Sequence, residues 1–285
     1  MLSLLPDSEI ERFIEEDLPY GDLTTHILGI GSQYGRIEFS TREETVLCCT
    51  EEASRLLVKC GAHVTSSMPS GTRLNKGVAF LVADGTARSL HAGWKVALNL
   101  IEYASGIATR TGRIVDAARV MNPGIALLTT RKSFPGTKKI AIKAITAGGA
   151  LPHRLGLSES ILVFRQHTAF TGGLDDFLKT VPDLRARVPE TKIIVEADTT
   201  DEALRIARAG VDVVQIDKLP PGKVKTIVET IRDIDKTVAI SVAGGINEAN
   251  VAEYAATGVD IIVLSSVYFG KPSDVSVTII PCERN

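Results

Sequence analysis

Residues Thr129–Lys139 read TTRKSFPGTKK, and Pro152–Ser158, which follow a helix-like segment, read PHRLGLS. The first stretch follows the short apolar run Ala126–Leu128, which is typical of a buried strand, and it contains a Pro-Gly turn. Each stretch carries two adjacent residues that are or can become cationic: Arg131 with Lys132, and His153 with Arg154. The pattern predicts a strand–turn–helix unit of an α/β fold with cations at the carboxyl ends of its strands.

Residues at the carboxyl ends of parallel strands form the ligand sites of many α/β folds. Four potential cations at such ends, on both sides of one helix, predict a site for an anionic ligand. Solvated loop charges are the alternative, and for a single pair they would be the simpler explanation. The repetition of the pair around one helix favours the site.

Composition indicates an ordinary globular protein, which we expect to be cytoplasmic. The 285 residues are 44% hydrophobic and 23% charged, and the net charge is −2, so charge gives no basis for binding nucleic acid or a membrane. No apolar run approaches the roughly 20 residues that span a bilayer, and the N-terminal sequence lacks the pattern of a secretory signal. The four cysteines form no CxxC pair, which favours reduced thiols over a zinc site.

The first third of the chain mixes short strand-like runs with single helices, as in an α+β domain. A long apolar helical face starts at Trp94. We expect this helix to break at SGIATRTG, Ser105–Gly112, because small residues dominate there, and a second helix to run over residues 113–120.

From residue 125 onward, apolar runs alternate with helical segments. The runs are Ile125–Leu128, Ile161–Phe164, Ile193–Val195, Val211–Ile216, Val238–Val242 and Ile261–Leu264, and the helical segments include Leu174–Val188 and Asn247–Ala256. Continuous apolar strands separated by helices indicate a parallel sheet that is covered by helices. We predict a closed α/β barrel with fewer than eight strands. An open doubly wound sheet is the alternative, because periodicity does not report closure.

Polar residues and glycines follow four of these runs: Glu196 with Asp198 nearby, Asp217, Gly244–Gly245, and Ser265–Ser266. Carboxylates at strand ends can hold a divalent cation through oxygen ligands. A Gly-Gly turn before a helix exposes backbone N–H groups to a phosphate. Each signal alone is weak, since a strand-end Asp is often only a helix cap. Together with the cations they predict a site for a phosphorylated sugar with a metal-bound leaving group.

Several ordered motifs occur along the chain: GDLTT at Gly21–Thr25, SGIAT at Ser105–Thr109, TRK..PG at Thr130–Gly136, HRLGLS at His153–Ser158, Glu196, Asp217, and AGGI at Ala243–Ile246. Together they resemble the motifs of the quinolinate phosphoribosyltransferase family, also called nicotinate-nucleotide pyrophosphorylase. The resemblance covers nearly the whole chain. It implies the type II phosphoribosyltransferase fold: an N-terminal α/β sandwich over 1–108, joined by the returning segment 268–285, and an incomplete α/β barrel of six to seven strands over 109–267.

The resemblance also implies an activity and a set of roles. The family transfers ribose 5-phosphate from phosphoribosyl pyrophosphate to a pyridine nitrogen, with Mg²⁺ as cofactor, and its members are usually dimers with shared sites. By position, Lys132, Glu196 and Asp217 would form the chemical core, and both carboxylates would also bind the metal. The substrate carboxylate would lie against Arg131, His153 and Arg154, and the 5′-phosphate against Gly244, Gly245, Ser265 and Ser266.

Departures from the family pattern concern the acceptor. Tyr103 stands where the family has an arginine that reaches the partner's site, Phe164 replaces a lysine, and Ser241 replaces an acidic residue. With HAGWK at His91–Lys95, these features resemble the ModD group, which is associated with molybdenum transport operons. We therefore expect a heteroaromatic acceptor other than quinolinate, in a molybdenum-related context. Two alternatives stay open: a genuine quinolinate enzyme making nicotinate mononucleotide for NAD synthesis, and a non-catalytic protein that binds a phosphorylated ligand.

Overall fold

A computed structural model describes residues 5–283 of the chain, which form two compact units. The first unit comprises the chain up to Gly112, Phe134–Gly149, and the chain from Tyr268 onward, and the second comprises Arg113–Ser133 and Ala150–Val267. These units differ from the predicted domains 1–108 with 268–285 and 109–267 chiefly in Phe134–Gly149, which packs in the first unit through a buried lysine described below. The domain boundaries themselves stay a prediction.

The elements up to the long helix are α1 (Asp7–Asp17), α2 (Leu23–Ile27), β1 (Tyr34–Thr41), β2 (Thr45–Val46), α3 (Thr50–Lys59), β3 (His63–Ser67), β4 (Arg73–Leu74), β5 (Ala79–Thr86) and α4 (Ala87–Met121). After it come β6 (Ala126–Thr129), α5 (Lys138–Ala147), β7 (Leu151–Pro152), β8 (Ile161–Val163), α6 (Arg165–Thr168), α7 (Leu174–Lys179), α8 (Val181–Arg187) and β9 (Ile193–Ala197). The last are α9 (Thr200–Arg208), β10 (Val213–Asp217), α10 (Pro221–Ile234), β11 (Ala239–Ala243), α11 (Val251–Ala255), β12 (Ile261–Leu264), a 3₁₀ turn (Ser266–Tyr268) and β13 (Val275–Pro281).

The first unit is built on a four-stranded sheet of order β13-β1-β5-β3. All its pairings are antiparallel, and on β1 the buried Ile37 and Phe39 alternate with exposed residues. This alternation is typical of a sheet with one face on a core. Because β13 pairs with β1, the last strand of the chain belongs to the sheet that the first strand starts.

Helix α4 is continuous over 35 residues, so the predicted break at Ser105–Gly112 was wrong. Its small residues serve close packing instead. Ser105 Oγ accepts a hydrogen bond of 2.9 Å from the backbone N–H of Cys48. A Cβ on Gly106 would lie 2.8 Å from the carbonyl oxygen of Lys271. In helices, small residues allow such close approaches without ending the helix, and a single glycine costs only about 1 kcal/mol.

The second unit contains seven parallel strands in the order β7-β6-β12-β11-β10-β9-β8. From β6 to β7 and from β8 to β12, neighbouring strands of the sheet follow one another in the chain. The last strand of the sheet, β12, pairs with its first strand, β6. A gap lies between β7 and β8. The sheet is therefore an incomplete barrel, as the family resemblance implied. The closed barrel predicted from periodicity and the doubly wound alternative were both wrong. The two-residue β7 was not predicted, because a strand that short has no readable periodicity.

The helical segment predicted over Leu174–Val188 is divided into α7 and α8, with Pro182 at the start of the second helix. Proline is tolerated in the first turn of a helix but not in its interior, so the chain restarts there. Among the described residues 5–283, no helix combines the length and apolar character needed to cross a membrane.

A buried ion cluster attaches α5 to α3 within the first unit. Lys143 Nζ lies 2.5 Å from Glu52 Oε2 and 3.0 Å from Glu51 Oε2, and the Lys143 and Glu52 side chains are 0% exposed. Burial raises the pKa of Glu51, but hydrogen bonds from Ser70 and Lys143 outweigh it and bring that pKa to about 2. The backbone N–H of Leu5 donates to Glu52 at 3.2 Å. With Ser70 bound to Glu51, this cluster joins four separate segments of the chain.

Replacing the buried lysine should destabilise the first unit strongly. Lys143→Met should lower the free energy of unfolding by about 3–5 kcal/mol, because it leaves the buried Glu52 carboxylate without a counter-charge. Urea unfolding followed by circular dichroism measures the loss. The matched control is Lys139→Met on the same helix, where the 59% exposed lysine side chain pairs with Glu9 and should contribute at most about 1 kcal/mol. Equal losses of unfolding free energy in the two variants would show that the buried Lys143–Glu52 pair contributes no more to stability than the exposed Lys139–Glu9 pair.

Candidate active site

Two neighbouring strands, β9 and β10, bring carboxylates to one edge of the barrel. In the sheet register Glu196 on β9 lies beside Gln215 on β10, and Asp217 lies beside Ala243 on β11. Since residues two apart on a strand share a face, Gln215 and Asp217 lie on one face of the sheet. The edge is the carboxyl end of the strands, where sites of parallel α/β folds are found.

The carboxylates of Glu196, Asp198 and Asp217 form a cluster in which one oxygen from each lies within 4.8 Å of the others. Burial raises the pKa of Glu196, and the Asp217 and Asp198 charges raise it further, while a hydrogen bond from Gln215 lowers it. Three carboxylate oxygens at this spacing suit the oxygen coordination that Mg²⁺ prefers. The cluster contains both predicted metal ligands and adds Asp198, a residue near the strand end to which the sequence pattern assigns no role.

Lys218 provides a counter-charge to this cluster. Its ammonium pairs with Asp217 and its side chain is 77% exposed, and the hydrogen bond with Asp217 raises the pKa of Lys218. The residue has a left-handed backbone with φ of 56°, which is uncommon for a residue other than glycine. The strand therefore ends in a sharp turn that places the lysine next to the carboxylate.

The turn after β11 requires glycine. A Cβ on Gly244 would lie 2.5 Å from Lys218 Cγ and 2.7 Å from Asp217 Oδ1, and Gly244 and Gly245 have φ of 88° and 73°. The backbone N–H groups of Gly244, Gly245 and Ile246 make no hydrogen bond to any residue in the described range 5–283. Free amides in succession are the feature that a phosphate cradle needs.

The helix expected directly after this turn, at Asn247, was placed too early, because α11 begins at Val251. The side-chain amides of Asn247 and Asn250 both donate to the Gly245 carbonyl, at 3.3 and 3.1 Å. Asn250 Oδ1 also accepts the backbone N–H of Asn247 at 2.8 Å. These bonds build a turn in place of the first helical turn, so the glycine turn with its free amides is followed by an asparagine turn and not by a helix N-terminus.

The end of β12 lies beside the end of β6. The backbone N–H of Thr130 donates to the Leu264 carbonyl at 2.9 Å, so Ser265–Ser266 and Arg131–Lys132 follow adjacent strand ends. Ser266 Oγ is buried and has no hydrogen-bond partner among residues 5–283. Arg131 and Lys132 are exposed and form no ion pair with a described residue. Both cations are thus available to an anionic ligand.

The second predicted pair follows β7, next to β6. The backbone N–H of His153 donates to the Thr129 carbonyl at 2.9 Å. Burial, with a smaller effect from Arg154, lowers the pKa of His153 to about 4. His153 is therefore neutral near pH 7, and its prediction as a cation was wrong: burial excludes the water that would stabilise its charge. Arg154 is buried, donates to the Ser160 carbonyl at 3.2 Å, and has its pKa lowered by burial and by the Arg131 charge.

Phe164 follows β8 on the other side of the gap. Its ring packs against the buried cluster of Leu162, Ile194 and Val213 and stacks on His167 with ring centroids 5.5 Å apart and planes at 21°. The His167 Nδ1 accepts the backbone N–H of Phe164 at 3.0 Å, which fixes the orientation of the imidazole ring against Phe164. Phe164 therefore contributes a fixed aromatic surface.

Tyr103 lies on α4 in the first unit and is 65% exposed. Its predicted role in a partner's site stays a prediction.

Gln215 is the residue that the sequence interpretation missed: it donates from Nε2 to Glu196 Oε2 at 2.9 Å. The signal was present, because a glutamine interrupts the apolar strand VVQID at Val213–Asp217, and a buried polar side chain usually has a specific partner.

Comparison with known proteins agrees with this geometry. The family described as quinolinate phosphoribosyl transferase, C-terminal domain, matches residues 107–278, and its N-terminal domain matches residues 22–105. A putative pyrophosphorylase ModD of Rhodobacter capsulatus is 43% identical over 249 residues, covering 87% of this chain and 95% of that protein. A probable nicotinate-nucleotide pyrophosphorylase (carboxylating) of Methanothermobacter thermautotrophicus is 30% identical, covering 95% of this chain and 97% of that protein.

Comparison with solved structures points to the same group of proteins. The structure of the nicotinate-nucleotide pyrophosphorylase from Francisella tularensis superposes with a TM-score of 0.88 at 24% identity, covering 98% of this chain and 99% of that one. This likeness confirms the predicted fold, and the two family matches span both halves of the chain. The chain therefore belongs to the quinolinate phosphoribosyl transferase family and is a phosphoribosyltransferase enzyme.

Proposed function

We propose that the protein transfers the ribose 5-phosphate group of phosphoribosyl pyrophosphate to a ring nitrogen of a heteroaromatic acceptor other than quinolinate. The observation that carries this proposal is the edge where the Glu196, Asp198 and Asp217 carboxylates meet beside the Gly244–Gly245 turn. Oxygen ligands for a cation and free amides for a phosphate stand next to each other there. A phosphorylated sugar with a pyrophosphate leaving group needs both.

In the proposed reaction the bond from C1 of the ribose to the pyrophosphate oxygen breaks, and the leaving pyrophosphate keeps its electron pair. The lone pair of the acceptor nitrogen forms the new bond to C1. Glu196 and Asp217, with Asp198 beside them, would hold Mg²⁺, which when bound neutralises charge on the leaving pyrophosphate. Lys132 would stabilise the same charge from the end of β6, because a preplaced cation costs no reorganisation when the charge develops.

The 5′-phosphate would lie in the glycine turn. The unpaired amides of Gly244 and Gly245 and the buried Ser266 hydroxyl, which has no partner among residues 5–283, support this placement. Ser265 follows the neighbouring strand end and would contribute a second hydroxyl. A phosphate there would accept hydrogen bonds from the glycine amides, which water can otherwise reach. It would also give a partner to the buried Ser266 hydroxyl, for which the lack of a hydrogen bond costs free energy.

The acceptor would lie between the cations after β6 and β7 and the aromatic ring after β8. Arg131 and Arg154 suit a single carboxylate or an acidic ring oxygen, since guanidinium groups bind such anions in two-point fashion. His153 is neutral near pH 7 and adds a hydrogen bond, not a charge. Phe164, together with Tyr103 from a partner subunit, suits a flat ring. The proposed acceptor therefore carries less negative charge than a dicarboxylate, and the transfer is not coupled to decarboxylation.

The proposal also covers the assembly of the protein, its location and its biological context. The protein would act as a homodimer with shared sites, in the cytoplasm, and in the molybdenum-related context that the resemblance to the ModD group implies. The high identity to a protein named putative pyrophosphorylase ModD supports this grouping. The retained Arg131 and Arg154, and the relative named nicotinate-nucleotide pyrophosphorylase, favour genuine quinolinate phosphoribosyl transfer as the second candidate.

The test of the proposal is a screen of heteroaromatic acceptors for pyrophosphate release from phosphoribosyl pyrophosphate. With the best acceptor, Lys132→Ala should lower kcat/KM by about 10²–10³-fold, as expected for loss of one group that stabilises developing charge. The control is Lys223→Ala, an exposed lysine on α10, which should keep wild-type turnover. Near-normal turnover of Lys132→Ala would remove this lysine from the mechanism.

The carboxylate cluster predicts a metal requirement. Removal of divalent cations with a chelator should abolish turnover, and Mg²⁺ should restore it. Asp217→Asn should raise the Mg²⁺ concentration for half-maximal rate at least tenfold, because the amide has lost the charge that attracts the cation. Asp233→Asn, an exposed position on α10, is the control and should leave that concentration unchanged. Full activity of the chelated wild-type enzyme would exclude the proposed metal role.

The acceptor proposal predicts the result of returning the family's two cations. Tyr103→Arg combined with Phe164→Lys should tighten quinolinate binding at least tenfold, since a hydrogen bond to a charged group contributes about 1.5–3 kcal/mol. Isothermal titration calorimetry measures the affinity, and Tyr103→Gln with Phe164→Met is the uncharged control. If the wild-type protein already binds quinolinate as tightly and releases carbon dioxide with it, the second candidate function replaces the first.

A further inference from the structure

Gln215 lies directly behind the carboxylate cluster, inside the barrel strand that ends in Asp217. Its register partners are Glu196 on β9 and Ser241 on β11. The residue is 4% exposed, and its strand neighbours Val214 and Ile216 are fully buried. A glutamine in such a place is removed from water, so it must be compensated by specific hydrogen bonds.

Among residues 5–283, only one of the two polar atoms of the Gln215 side chain has a hydrogen-bond partner. Gln215 Nε2 donates to Glu196 Oε2 at 2.9 Å, whereas Gln215 Oε1 has no hydrogen-bond partner within residues 5–283. Leucine or methionine would fill the same space without a desolvated amide oxygen. The packing of the barrel therefore gives no reason for an amide here, and the bond to Glu196 is the interaction that distinguishes glutamine from an apolar side chain of similar size.

The hydrogen bond from Gln215 determines which oxygen of the Glu196 carboxylate is available to a cation. Glu196 has two carboxylate oxygens, and Gln215 occupies one lone-pair direction of Oε2, so Oε1 is available to a cation. Without the amide, repulsion from Asp198 and Asp217 would favour rotation of the Glu196 side chain away from the cluster. Groups that hydrogen-bond a metal-binding carboxylate fix its orientation, and their loss commonly costs 10–100-fold in metal affinity.

We propose that Gln215 is a positioning residue that holds the Glu196 carboxylate in the orientation needed to bind the divalent cation. The inference rests on the proposed function in one respect only, that Glu196 is an oxygen ligand of this cation. The motifs that carry the family resemblance do not include position 215. The role therefore follows from the contact and from the burial of the amide.

The experiment measures Mn²⁺ binding directly, by electron paramagnetic resonance, in the full-length protein without acceptor. Gln215→Met keeps the volume and removes the donor, and Gln215→Asn keeps the amide but shortens its reach. Ser241→Ala is the matched control, because it alters the neighbouring register position on β11 without touching the bond to Glu196. Urea unfolding of each variant reports its stability, and Gln215→Asn provides the measurement if Gln215→Met does not fold.

Both Gln215 variants should raise the Kd for Mn²⁺ about tenfold or more, while Ser241→Ala should stay within about twofold of wild type. A crystal structure of Gln215→Met should show the Glu196 side chain rotated from its present position. Unchanged Mn²⁺ affinity in both Gln215 variants, or an equal loss in Ser241→Ala, overturns the inference while leaving the proposed function in place. Absence of Mn²⁺ binding by the wild-type protein overturns the metal role in the proposed function, and the inference with it.

Discussion

The pairing of β12 with β6 is the constraint on which the second unit depends. It joins Ile261–Leu264 to Ala126–Thr129 in parallel register, although more than a hundred residues separate them in the chain. This pairing curls the sheet, since a strand order that returns to its first member cannot remain flat. It also places the cations after β6 beside the serines after β12. The edge to which we assign ligand binding is thus formed by strands from both ends of the barrel sequence.

The opposite feature, the missing pairing between β7 and β8, is equally important for the site. His153 and Arg154 follow one border of this gap, and Phe164 follows the other. In a complete barrel, β7 and β8 would pair through backbone hydrogen bonds. Here the two strands do not pair, and these side chains follow the two strands that border the gap. The cationic and aromatic groups that we assign to the acceptor therefore occur where the barrel is incomplete, and the groups assigned to the phosphorylated sugar occur where its strands are continuous.

Sequence patterns predicted the fold and most of the strand-end residues, because they depend on local periodicity and on strand ends. Glu196, Asp217 and the glycine turn occupy one edge, as expected for parallel strands. The failures have specific causes. Small residues at Ser105–Gly112 resemble a break but pack closely in an unbroken α4. Asn247 and Asn250 delay α11 through side-chain bonds that helical periodicity does not show.

The sequence by itself determined the α/β class, the number of barrel strands to within one, and the chemical types at the predicted strand ends, because these follow from hydrophobic periodicity and turn residues. Only the tertiary structure decided which strands close the barrel, that His153 is neutral, and that Gln215 bonds to Glu196. It also decided that Lys143 pairs with Glu52. Each of these depends on distance and on exclusion of water between residues far apart in the chain, and a linear pattern contains neither quantity.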